Sequence, residues 1–133
     1  MLLFLLALQI PVISDSMLSD WRPDSVFAYD SIPTVYHKWW KEIQGCVGMK
    51  NLKMNKINWF EVRSFPGHVG FPCPKVRYCL GWWKAKGQEI FILKRHVMDE
   101  YTIKHEMLHQ ILWAKNIDRT FMHHSEHFNQ CGL

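Results

Sequence analysis

The chain lacks the features that define several classes of protein. It contains no internal repeat, no low-complexity tract, no block of like charges and no recognisable DNA-binding module. Its 16 Lys and Arg residues outnumber its 12 Asp and Glu residues, but the net charge of +4 is scattered along the chain, as on an ordinary solvated surface. Hydrophobic residues make up 48% of the 133 positions, which suits a single folded domain.

A long membrane-spanning run is also missing. The apolar segment from Met1 to Ile13 is too short to cross a bilayer comfortably. It resembles the central region of a secretory signal, although no basic residue precedes it. We therefore expect a signal peptide at 1–14, an extended lead-in at 15–30 and one domain at 31–133. The protein is then secreted or periplasmic, without a membrane span after signal removal. If the run is a buried first helix instead, the protein is cytoplasmic.

No cysteine belongs to a Cys-x-x-Cys pair of the kind that marks a structural zinc site. The four cysteines allow three disulfide pairings. Cys73 and Cys79 could close a small loop, and Cys46 could then join the first helix to the tail at Cys131. A secreted protein is expected to carry such bridges, whereas in the cytosol the cysteines would be free thiols.

The most informative segment is the pentapeptide His105-Glu-Met-Leu-His109. Positions i and i+4 of an α-helix share one face, so His105 and His109 can offer two imidazole nitrogens to one metal ion. Glu106 is placed to act as a general base rather than as a ligand. This is the zincin pattern, and it predicts a Zn²⁺ site.

The surrounding residues predict a buried helix for this motif. Asp99 can cap a helix that begins near Glu100, and neither Gly nor Pro interrupts the chain before Ala114. Apolar residues occupy nearly every side of that helix. Because unpaired polar groups are costly in such a setting, the two histidines need a partner, which a metal ion supplies.

A catalytic zinc usually has three protein ligands, so a third is needed. The metzincin form requires Gly and His at the positions held by Leu112 and Lys115, which excludes that subclass. The C-terminal tail offers four candidates: His123, His124, Glu126 and His127.

The motif helix, a short linker and a His-x-x-x-Phe segment together resemble the SprT-like minimal zincins. The C-terminal end also resembles small secreted bacterial putative metallopeptidases of similar layout. In the SprT-like family the His of a His-Gly-x-x-Phe segment is the third ligand, which Phe128 aligns with His124. Ser125 stands where that family has Gly. We rank His124 first, Glu126, which gives a thermolysin-like ligand set, second, and His127 third.

Upstream of the motif, apolar periodicity predicts a helix and two strands. The helix starts at Pro33 and runs to Gly45, with an aromatic stripe that should pack on a sheet. Residues 58–65 and 88–93 are expected to be strands, and 66–79 a loop. The predicted fold class is α+β: a compact minimal zincin-like domain with a small antiparallel or mixed sheet packed on an N-terminal helix and a buried active-site helix.

Three further roles stay open. Residues 88–93 could form the edge of a substrate cleft, where an extended peptide pairs with the strand, or could be an ordinary interior strand. Trp82 and Trp83 could line an apolar subsite, belong to the core or contact carbohydrate. An oxyanion stabiliser is usually needed, and its candidates are Tyr101, His68, His96 and His127.

The sequence therefore predicts a zinc metallopeptidase acting on a protein or peptide, with His105, His109 and His124 as ligands and Glu106 as base. One alternative is an inactive zinc-binding domain with a binding or structural role. Another is a SprT-like peptidase acting on nucleic-acid-associated proteins. That reading needs a basic face, for which the candidates are Lys50, Lys53, Lys56, Lys84 and Lys86. The scattered charge and the expected signal argue against a nucleic-acid partner, and the sequence leaves the oligomeric state open.

Overall fold

A computed structural model describes residues 21–63, 69–74, 76–117 and 126–133. The expected signal peptide at 1–14 lies outside these residues. Across the part described, no helix is both long and apolar enough to cross a membrane.

The described residues form three α-helices and six strands, together with short 3₁₀ turns at Met54–Lys56 and Lys94–His96. In chain order the elements are β1 (Val26–Ala28), α1 (Val35–Cys46), β2 (Asn58–Val62), β3 (Phe71–Cys73), β4 (Val76–Cys79), β5 (Gly81–Lys84), β6 (Glu89–Leu93), α2 (Glu100–Ala114) and α3 (His127–Gln130).

The main sheet is mixed and has the strand order β1-β2-β6-β5. Strand β1 pairs antiparallel with β2, β2 pairs parallel with β6, and β5 pairs antiparallel with β6. The predicted α+β class and mixed sheet are therefore confirmed. The segment expected to be an extended lead-in contributes β1 to this sheet.

The helices cover one face of the sheet. The predicted N-terminal helix is present as α1, which begins two residues later than predicted, because the Tyr36 N–H donates to the Pro33 carbonyl at the entrance turn. Its buried stripe contains Tyr36, Trp39 and Trp40. The Tyr36 ring lies 4.8 Å from the ring of Trp59 in β2. As predicted, the aromatic stripe packs on the sheet, and α2 completes this layer with Ile103, Met107 and Leu108 fully buried.

The other face of the sheet has its own smaller core. Phe91 and Leu93 of β6 pack there with Phe71 from the β3–β4 hairpin. Trp82 also faces this side, with its ring 5.6 Å from that of Trp21. Since successive side chains of a strand point to opposite faces, Trp82 and Trp83 cannot form one subsite together.

One prediction for this region was wrong. Residues 66–79 are not all loop, because β3 and β4 form an antiparallel hairpin bridged by the Cys73–Cys79 disulfide. Strands this short, interrupted by prolines, give no alternating pattern in the sequence. Of the two roles left open for residues 88–93, the structure has the interior strand, because β6 is paired on both sides and β5 lies at an edge of the sheet.

Of the three pairings that the sequence left open, the structure has the one that joins the first helix to the tail. Cys46 is bonded to Cys131, and Cys73 to Cys79. The first bridge joins the end of α1 to the residue after α3, which brings the C-terminal segment onto the helical layer. The second stays within the hairpin.

Candidate metal centre and active site

The predicted motif helix is present with the predicted bounds, Glu100–Ala114. Asp99 precedes it, and its carboxylate accepts a hydrogen bond from the Thr102 hydroxyl. That bond holds the pKa of Asp99 below its usual range, so a negative charge stays beside the positive end of the helix dipole. The start of α2 is thereby fixed one turn before the first histidine of the motif.

His105 and His109 lie side by side on α2. Their ring centroids are 5.2 Å apart and their planes meet at 74°. Two imidazoles bound to one tetrahedral zinc at about 2.0 to 2.1 Å place their centroids about 5 Å apart. The centroid separation of the pair matches that of two histidine ligands of one zinc ion.

The Glu106 carboxyl is buried between α2 and β5. Gly81 of the strand lies beside it, and a Cβ atom added there would lie 2.9 Å from Glu106 Cγ and 3.0 Å from Glu106 Oε1. A backbone hydrogen bond from Trp83 reaches the carboxyl, but burial outweighs it and raises the pKa of Glu106 to about 8. Gly81 thus provides the space that lets a carboxyl group reach the strand.

Strand β5 also contacts the second histidine. The indole of Trp83 stacks on the His109 ring, with the centroids 5.6 Å apart and the planes within 8° of parallel. Both side chains are buried. Sequence reasoning missed this contact, because only the register of β5 with β6 shows which of the two adjacent tryptophans faces α2.

The C-terminal segment also contacts the histidines. The Phe128 ring is buried, with its centroid 5.0 Å from that of His105 and 4.8 Å from that of His109. The Cys46–Cys131 disulfide anchors its helix α3, and Gln130 Nε2 donates a 3.0 Å hydrogen bond to the Cys46 carbonyl. The tail that was predicted to supply the third ligand therefore lies at the pair.

The third ligand itself lies outside the described residues. His124, ranked first, and His123 fall within 118–125. Of the lower-ranked candidates, Glu126 is exposed at the start of α3, and His127 follows it, half-buried. Within the described ranges no group of three or more His, Cys, Asp or Glu side chains is placed to hold a metal. The structure brings together two of the three predicted ligands and the predicted base.

The oxyanion candidates are distributed unevenly. Tyr101 is exposed, and its ring centroid lies 5.9 Å from that of His105. His96 faces Asp99, with His96 Nδ1 3.4 Å from Asp99 Oδ2. His127 belongs to α3, and His68 lies outside the described residues. Tyr101 is therefore placed beside one of the predicted ligands.

One cavity lies beside another part of the molecule. It has a volume of about 700 Å³ and lies beside α1, with Lys50 and Lys53 among its lining residues and none of the motif residues. Lys84, proposed for the same basic face, is instead buried and lies 3.4 Å from Glu89. The predicted basic face is therefore incomplete.

Comparison of the chain with protein-family models, with curated proteins and with solved structures found no match. The function proposed below therefore rests on the geometry and chemistry of the described residues.

Proposed function

We propose that the protein is a zinc-dependent metallopeptidase with a compact zincin-like fold. One observation carries the proposal: His105 and His109 stand at zinc-binding separation on one helix, with the Glu106 carboxyl buried beside them. Two ligands and a base in this order are the elements of zinc-assisted hydrolysis. His124 is the proposed third ligand, supported by the position of Phe128 against both histidines.

When bound, Zn²⁺ polarises the scissile carbonyl and lowers the pKa of a water molecule at the site. Glu106 is the proposed base. Burial raises its pKa to about 8 in the absence of metal, and the positive charge of the ion favours the carboxylate. A carboxyl with these two opposing influences can accept a proton and then pass it to the leaving amine.

The proposed substrate is a protein or peptide in an extended conformation. The outer strand β5 carries Gly81, which touches Glu106, and Trp83, which touches His109. A strand at the edge of a sheet beside the catalytic groups can hold a peptide through main-chain hydrogen bonds. The proposed edge of the substrate cleft is therefore 81–84 rather than 88–93.

A secreted or periplasmic location is part of the proposal. Two disulfides link all four cysteines, as expected for a protein that folds in an oxidising compartment. This location also disfavours the SprT-like activity on nucleic-acid-associated proteins, for which the described lysines do not form the predicted basic face.

Metal analysis tests the proposal. Wild type, His105→Ala and His124→Ala are purified and compared with His37→Ala, which changes an exposed histidine of α1. We expect one zinc per chain in wild type and His37→Ala, and its loss in the other two. Zinc retained in His124→Ala but lost in Glu126→Ala would move the third ligand to Glu126.

Cleavage of casein or of a peptide library separates the enzyme from the inactive alternative. Glu106→Gln is expected to retain zinc and lose at least about a hundredfold in cleavage, since general base catalysis contributes about 10² to 10⁴. Cleavage by Glu106→Gln at the wild-type rate would contradict the assigned base. Zinc binding without cleavage in wild type would favour a binding or structural domain.

A further inference from the structure

Zinc-binding histidines are usually oriented by a neighbouring group. An imidazole can rotate about two side-chain torsions, and only some orientations direct a nitrogen at the metal. In most sites a carboxylate or carbonyl accepts the other ring N–H and fixes the orientation. For His109 the structure shows a flat aromatic contact, the parallel indole of Trp83, with the ring centroids 5.6 Å apart.

Trp83 is itself held in one orientation. Its indole N–H donates a 2.8 Å hydrogen bond to Gln110 Oε1. Gln110 Nε2 in turn donates a 2.8 Å hydrogen bond to Gln88 Oε1, at the start of β6. Trp83 and Gln110 are each only 4% exposed. Because Gln110 follows His109 in α2, this chain ties the strand to the helix at the second ligand.

The same residue reaches the proposed base through its backbone. The Trp83 hydrogen bond to Glu106 favours the charged form of that carboxyl, opposing the effect of burial. The side chain of Trp83 therefore contacts the ligand, while its main chain contacts the base. A shift of β5 by one residue would reverse the faces of the strand and remove both contacts.

We propose that Trp83, anchored by Gln110, is a positioning residue that holds the His109 ring in its metal-binding orientation. The inference rests on the proposed function, because it treats His109 as a ligand. In this role the side chain of Trp83 touches neither substrate nor reacting atoms. It acts by removing the rotational freedom that His109 would otherwise lose when the metal binds.

Zinc affinity, measured by competition with a chromogenic chelator, tests the proposal. Second-layer groups at metal sites typically contribute about ten- to a hundredfold in metal affinity, and we expect a loss of that size in Trp83→Leu. Trp83→Phe keeps a flat ring against His109 and should recover most of it. Gln110→Met removes the indole anchor and should fall between the two. Gln110→Met also covers the case in which Trp83→Leu does not fold.

Trp59→Phe is the matched control. Trp59 is also 4% exposed and lies on the same face of the adjacent part of the sheet, but packs against Tyr29 and Tyr36. It should lose stability without losing zinc affinity. Equal zinc affinities in Trp59→Phe, Trp83→Leu and Gln110→Met would overturn the positioning role and leave Trp83 as a core residue.

A second measurement separates failure of this inference from failure of the proposed function. The ring-proton resonances of His109, assigned with His109→Gln, are recorded by NMR on chelator-treated protein. Loss of the stacked indole should move them downfield in Trp83→Leu, whereas Trp59→Phe should leave them in place. Unchanged resonances would overturn the inference even if zinc binds. A wild type that binds no zinc would refute the metallopeptidase, while these resonances still decide whether Trp83 holds His109.

Discussion

Two elements contact the histidine pair, and their positions are fixed in different ways. Strand β5 carries Trp83, which stacks on His109, and its position is set by its pairing with β6. Helix α3 has four residues and carries Phe128, which contacts both histidines. A single turn of helix has no stability of its own, so α3 depends on its tertiary contacts, among them the Cys46–Cys131 disulfide, the Gln130 hydrogen bond and the buried Phe128 ring. The position of β5 is therefore set by the sheet, whereas that of α3 depends on a covalent link.

The largest expected effect comes from breaking that link. Cys46→Ser/Cys131→Ser opens a bridge with a sequence separation of 85 residues, while Cys73→Ser/Cys79→Ser opens one with a separation of 6. In the chain-entropy model these removals cost about 4 to 5 and about 2 kcal/mol in the free energy of unfolding. Denaturant unfolding measures both.

The zinc content of these two variants shows whether the Cys46–Cys131 disulfide positions the C-terminal segment at the histidines as well as stabilising the fold. Freed from α1, the C-terminal segment should leave the histidines, so Cys46→Ser/Cys131→Ser is expected to lose zinc even under folding conditions. The hairpin variant should keep it. Equal zinc retention in both variants would show that α3 stays at the histidines without its disulfide.

The Glu106 carboxyl, which lies against β5, should make stability depend on pH. Burial raises the pKa of Glu106 to about 8, from its usual value of 4.5. Between these pH values the folded state holds a proton that the unfolded state has released, so the free energy of unfolding falls as pH rises from about 4.5 to about 8. For metal-free protein the expected total decrease is about 4 to 5 kcal/mol, measured by urea unfolding at a series of pH values.

Glu106→Gln should abolish this decrease, and bound zinc should reduce it because the ion favours the carboxylate. The control is Glu42→Gln, which changes a carboxyl whose pKa is lowered by its hydrogen bond with Lys104. That variant should leave the Glu106 decrease in place. A pH-independent wild-type stability across this range would contradict the buried, protonated carboxyl.

The sequence could predict the parts of the site that depend on local helical spacing, but not those that depend on strand pairing. Helical spacing placed His105 and His109 on one face with Glu106 beside them, while the choice among three cysteine pairings stayed open until the structure showed it. The contacts of β5 with α2 could not be predicted, because a four-residue strand has too few positions to show alternation. Which of two adjacent tryptophans faces α2 depends on the register Trp83 with Ile90, a pairing that no local pattern encodes.

Gly81→Ala tests how closely β5 packs against Glu106. The added Cβ would lie 2.9 Å from Glu106 Cγ and 3.2 Å from Ile92 Cδ1, so the carboxyl or the strand must move. We expect a loss of about 1 to 3 kcal/mol in stability, as for other overpacked sites, and at least a tenfold drop in peptide cleavage. In Gly45→Ala, a Cβ in α1 meets nothing within 4 Å, and stability should stay equal or rise.

The smallest expected effect concerns the hydrogen bond that supports α3 beside its disulfide. Gln130→Ala removes the 3.0 Å bond to the Cys46 carbonyl, which lies at an exposed position. With the disulfide intact the cost should be about 0.5 to 1 kcal/mol in the free energy of unfolding, and zinc affinity should change less than threefold. In Cys46→Ser/Cys131→Ser the same substitution should cost nothing further, since the segment is already released. An additive loss in that triple variant, measured by urea unfolding, would mean that side-chain contacts hold α3 in place without the covalent link.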